Sequence, residues 1–64
     1  MKSNLEELII KSGLKKGYLA NELKVTPQQF SKWIKGKNYP PADKLFHLAK
    51  LLNCKLEEMY SVEE

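Results

Sequence analysis

The side chains in this 64-residue chain best equipped for chemistry are amides and amines. Gln28, Gln29 and Lys32 fall within little more than one helical turn, and the chemistry open to them is hydrogen bonding. A glutamine amide offers a donor and an acceptor side by side, and a lysine ammonium offers three donors. Around them stand Pro27, Thr26, Ser31, Lys35, Lys37 and Asn38, with Lys16 upstream, a set rich in groups that bond anionic oxygens. What such a set can do depends on the elements that present it.

Those elements are two short helices joined by a tight turn, spanning Lys16 to Gly36. Leu19, Ala20 and Leu23 give the first helix a narrow apolar stripe. The chain then breaks at Lys24-Val25-Thr26, where Thr26 is a good N-cap, Pro27 suits the first helical position and Gln29 has capping-box spacing. Phe30, Trp33 and Ile34 share one face of the second helix and fix it to the body. Gln28, Ser31, Lys32 and Lys35 are therefore turned outward, and Gly36 supplies the stop. An outward polar face on an anchored helix is the geometry of a helix that enters the major groove of duplex DNA.

Charge follows the same division. Six lysines face one acid between Leu14 and Asn38, a local +5, whereas three lysines face five acids from Pro40 to Glu64, a local −2. The positive charge gathers around the two-helix unit, where a polyanion would dock. The chain contains no arginine, which limits how it could read guanine.

Bond-breaking chemistry finds little footing. A structural zinc site needs about four Cys or His ligands, and this chain holds a single cysteine, Cys54, and a single histidine, His47. Asp43 and His47 stand i, i+4 on a helix, a spacing most often met as a surface pair. No glycine loop for phosphate and no cofactor motif is present, so no enzyme and no cofactor is expected. One cysteine excludes an internal disulfide, and Cys54 is read as a small packed hydrophobe. No signal peptide is recognisable and no apolar run approaches membrane-spanning length. A reducing cytoplasmic home, at the nucleoid, is the expectation, with no membrane partner and no small-molecule ligand.

Taken in order, the remaining chain reads as helix throughout. Ser3 and Glu6 predict a capped helix over 4–12, stopped by Gly13, with Leu14 turning inward. Lys15 is a poor cap for the second helix, and Gly17 lowers its propensity by roughly 1 kcal/mol. Lys37 to Pro41 is an extended linker. Leu45, Leu48, Ala49 and Leu52 make a clean stripe on a fourth helix that starts near Pro41 and stops at Asn53. A last helix over 55–60 turns Leu56, Met59 and Tyr60 inward. Residues 1–64 form a single domain, ordered over about 4–60, with a solvated acidic tail at 61–64. No strand is expected.

This series resembles the helix-turn-helix domain of phage Cro and repressor proteins, the Xre-like family. The resemblance rests on Leu8, Gly13-Leu14, Leu19-Ala20, Leu23, Val25-Thr26, Phe30-Ser31, Trp33, Gly36, Pro40, Leu45, Leu48-Ala49, Leu52 and Leu56, and covers Leu5 to Tyr60. No one position is specific; the whole series in one order is. It implies an all-α, five-helix fold and sequence-specific, usually dimeric DNA binding by a small transcriptional regulator, most simply a repressor on a palindromic operator. Two departures stand out. Lys16 replaces a glutamine that bonds a backbone phosphate in the family. Ile9 and Ile34 replace an arginine–glutamate pair, so the two isoleucines are expected to touch.

Gln28, Gln29, Lys32 and Pro27 are the base-contacting candidates: a glutamine bonds adenine N6 and N7, Lys32 reaches guanine or a phosphate, and the Pro27 ring packs on a thymine methyl. Gln29 alternatively folds back on its own helix start. Lys16, Thr26, Ser31, Lys35, Lys37 and Asn38 are the phosphate-contacting candidates. Trp33 is read as core, and Tyr18 as a rim residue. Phe46, Leu51, Met59, Tyr60 and Val62 are candidates for a homodimer interface, or else close the core from below. The rival from another class is a protein-binding adaptor or antitoxin-like module using the same apolar residues. An RNA binder lacks an exposed aromatic platform.

Overall fold

Four of the five helices stop on a residue in the left-handed region, and that punctuation sets the path of the chain. α1 (Leu5–Ser12) ends at Gly13 (φ 74°), α2 (Lys16–Leu23) at Lys24 (φ 59°), α3 (Pro27–Lys35) at Gly36 (φ 78°) and α4 (Ala42–Leu52) at Asn53 (φ 52°). In each case the cap N–H turns back onto carbonyls of the last turn, closing groups the helix leaves open. α5 (Leu56–Met59) is a single turn and runs directly into extended chain at Tyr60. The computed structural model describes residues 1–62.

The five-helix, all-α architecture is as expected, with one small addition. Lys2–Ser3 (β1) and Tyr60–Ser61 (β2) pair antiparallel, Lys2 opposite Ser61 and Ser3 opposite Tyr60. The backbone N–H of Asn4 extends this ribbon by donating to the Met59 carbonyl at 2.8 Å, and its side-chain amide donates to the Glu58 carbonyl at 3.3 Å. Three expectations change as a result. Helix α1 starts at Leu5, with Asn4 in the cap position, and the Ser3 hydroxyl accepts from the Leu5 N–H instead of forming a box with Glu6. Tyr60 leaves the last helix for β2. Ser61 is paired backbone, not solvated tail; Glu63 and Glu64 lie outside the described residues. Two-residue strands carry no period, and their pairing joins opposite ends of the chain, so no local pattern announces it.

The core draws on every helix. Leu5 and Ile9 of α1, Leu19, Ala20 and Leu23 of α2, Phe30, Trp33 and Ile34 of α3, Leu48, Ala49 and Leu52 of α4, and Met59 of α5 form one buried cluster. Phe30 and Trp33 meet edge to face, ring centroids 6.2 Å apart. Burying α2 against both α3 and α4 compensates for its unaided start: Lys15 is extended and makes no side-chain cap bond.

Candidate nucleic-acid interface

The turn between α2 and α3 is held at three points. Lys24 adopts the left-handed conformation and Val25 N–H bonds the Ala20 carbonyl at 3.0 Å. The ammonium of Lys44, reaching from α4, donates to the Leu23 carbonyl at 2.8 Å. Thr26 then enters α3 in an extended conformation, its hydroxyl accepting the Gln29 N–H at 3.1 Å, with Pro27 as the first helical residue. The helix that results has the expected bounds, Pro27–Lys35.

Its two faces divide cleanly. Phe30 and Trp33 are 1% exposed and Ile34 9%, whereas Pro27, Gln28, Lys32 and Lys35 are exposed and Gln29 and Ser31 half-buried. Because three inward side chains fix the rotation of α3 about its axis, the Gln28 amide and the Lys32 and Lys35 ammoniums stay on its outward side. The C-terminal end is braced as well. A Cβ placed on Gly36 would meet the Ser3 side chain at 3.5 Å, so β1 lies directly against the end of the helix.

Pro27, Ser31 and Lys35, one turn apart, form a ridge with a groove on either side. One groove continues through Gln28, Lys32 and Lys37, which brings most of the expected base- and phosphate-facing groups onto a single surface. The other runs from the ridge over Phe30 and Ile34 to Lys16, Gly17 and Glu6. Thr26 and Asn38 are exposed and Gln29 is half-buried, and none of the three lines either groove.

Lys16 stands where a phosphate ligand is expected but is already engaged. Its ammonium lies 2.9 and 3.0 Å from the two Glu6 carboxylate oxygens, with both side chains about half exposed. Sequence reasoning missed Glu6 at this site. The pair joins separate helices ten positions apart, and no helical spacing signals it.

The other candidates separate by burial. Met59 turns inward, as expected of the last helix, and is fully buried, which corrects its candidacy for an interface: it closes the core. Tyr60 is half-buried, its ring edge-on to Tyr39 with centroids 5.3 Å apart, and Leu51 is half-buried. Phe46 is 56% exposed and Val62 78%. Phe46 flanks a shallow groove that also involves Ala49, Lys50, Leu56, Glu57 and Glu58. Trp33 is core, as expected, and Tyr18 is exposed. Ile9 and Ile34 are both buried in the one cluster, on helices that pack together. Cys54 is half-buried against the core; burial, and then the charge of Glu58, push its thiol above the ordinary range. Among the described residues no three His, Cys, Asp or Glu side chains gather as a metal site, and no helix is long and apolar enough to cross a membrane.

A helix-turn-helix family model matches residues 5–59, taking in all five helices and both grooves' ridge. No curated protein matches the chain.

Proposed function

Since the chain belongs to the Cro-type, Xre-like helix-turn-helix family, whose members are DNA-binding regulators, we propose that it is a sequence-specific repressor that reads the major groove with α3. The observation that carries this reading is the division of α3, with Phe30, Trp33 and Ile34 buried beneath exposed Gln28 and Lys32. A helix rigidly seated in this way can place side chains on base edges without a further ordering cost for its backbone.

In this reading Gln28 bonds adenine N6 and N7 as a bidentate pair, and Gln29 reaches the neighbouring base from the same end of the helix. Lys32, one turn on, takes guanine O6 or N7, and the exposed Pro27 ring covers a thymine methyl group. Lys35 and Lys37 extend from the same groove as phosphate ligands, joined by Thr26, Ser31, Asn38 and Lys16. These contacts fix register and carry the salt dependence; the α3 amides carry the sequence preference.

Two copies would bind half-sites about 34 Å apart on a palindrome. Phe46 and Val62, with the half-buried Leu51 and Tyr60, are the candidates near the C-terminus to join them. Lys50, Lys55, Glu57 and Glu58 line the groove beside Phe46, a mixed-charge surface able to complement a copy of itself. Repression follows from occupying a promoter and excluding polymerase.

Selection of bound sequences from a random duplex pool tests the proposal. A palindrome enriched in A·T pairs supports both the base reading and the dimer. An enriched but asymmetric site overturns the dimer alone. Absence of any enrichment at low salt favours the protein-binding alternative, with Phe46 as its contact.

A further inference from the structure

We propose that Glu6 sets the affinity of this protein for DNA by occupying Lys16 in the free state, so that a phosphate has to displace its carboxylate before Lys16 contributes to binding. The inference rests on the reading of α3 as the duplex-facing helix. Lys16 is the first residue of α2, and its ammonium lies 2.9 Å from Glu6 Oε2 and 3.0 Å from Oε1. Both side chains are about half exposed. A pair so open to solvent contributes little to holding the fold. Its position matters more than its strength.

The groove that contains the pair shares the Pro27, Ser31 and Lys35 ridge with the groove that contains Gln28 and Lys32. Among the described residues lining these two grooves, Glu6 is the one carboxylate, set among Lys16, Lys32, Lys35 and Lys37. A duplex seated on the ridge brings phosphates toward Lys16, and carboxylate and phosphate then compete for one ammonium. Once displaced, Glu6 remains inside the negative field of the duplex. Both effects oppose binding, and neither depends on base sequence, because phosphates carry none. Glu6 therefore weakens every duplex alike and leaves the preference between sequences unchanged.

The test is a double-mutant cycle on the full chain, read by fluorescence anisotropy against one operator duplex and one scrambled duplex across a salt series. Glu6→Gln is expected to tighten both duplexes by about twofold to fivefold at low salt, with the salt slope nearly unchanged, since the Lys16–phosphate contact forms in both proteins. In a Lys16→Met background the gain should shrink to that of Glu7→Gln, a change of the same charge at an exposed α1 residue outside both grooves. Weaker binding by Glu6→Gln would overturn the proposal, since Glu6 would then be steering Lys16 toward phosphate. An equal gain with and without Lys16 would overturn it too, leaving only a general charge effect. A parent protein that binds neither duplex removes the DNA reading itself, a result distinct from either.

Discussion

The ammonium of Lys44, on α4, lies 2.8 Å from the carbonyl oxygen of Leu23, the last residue of α2. This bond caps the negative end of α2 and ties α4 to the turn that aims α3. A charged donor on a part-buried carbonyl contributes about 1.5–3 kcal/mol when formed. Lys44→Met, which keeps the aliphatic stem, should cost about 1–2 kcal/mol in urea denaturation. An unchanged denaturation midpoint would show that water replaces the ammonium without loss.

Backbone conformation predicts changes of the opposite sign. Lys24 sits at φ 59°, a region that costs a residue bearing a Cβ roughly 1–2 kcal/mol. Gly17 lies in the first turn of α2, and a Cβ added there would meet nothing within 4 Å. Lys24→Gly and Gly17→Ala should each stabilise the chain by up to about 1 kcal/mol, raising Tm by about 4–8 °C. If Gly17→Ala stabilises yet weakens duplex binding, the bare backbone there serves close approach of the partner and not the fold.

Ile9 and Ile34 are 3% and 9% exposed within one core, at the positions where the resemblance implies an arginine–glutamate pair. Ile34→Glu alone should cost about 3–5 kcal/mol, because it leaves a buried charge unpaired. Combining it with Ile9→Arg should recover a large part of that loss. Additive costs in the double variant would show that the two side chains are not neighbours.

The Tyr60 hydroxyl is buried without a hydrogen-bond partner among the described residues. Burial first, and Tyr39 second, raise its pKa above the ordinary 10.0. The folded state thus holds this proton more tightly than the unfolded state does. Stability is flat with respect to this group below pH 10 and falls as pH rises beyond it. Tyr60→Phe should raise stability at neutral pH by up to about 1 kcal/mol and soften the alkaline decline. A destabilised Tyr60→Phe would mean that the hydroxyl is satisfied after all, and melting across pH 8 to 11 reads both effects.

What could be read from the chain divides along physical lines. The bounds of α3, the αL stops at Gly13, Gly36 and Asn53, and the buried Phe30, Trp33 and Ile34 all follow from short-range rules of capping and period. The β1–β2 ribbon, the Lys44 bond to Leu23 and the Glu6–Lys16 pair were not legible, since each joins residues that only the finished fold brings together. The inward turn of Met59 follows from the period of the last helix; the ribbon that folds this end of the chain back over the core does not. Lys24 is a different case: left-handed residues are usually Gly or Asn, so a lysine there gives no signal.

In the proposed complex the exposed amide of Gln28 reads a base while the buried face of α3 holds it in place. The most direct measurement is the affinity of the parent and of Gln28→Ala for the selected operator and for a scrambled duplex at the same salt. The expected result is a loss of about 1–3 kcal/mol on the operator, relaxed preference at one base pair and no change on the scrambled duplex. Equal binding of both proteins to both duplexes, with the fold intact, would contradict it.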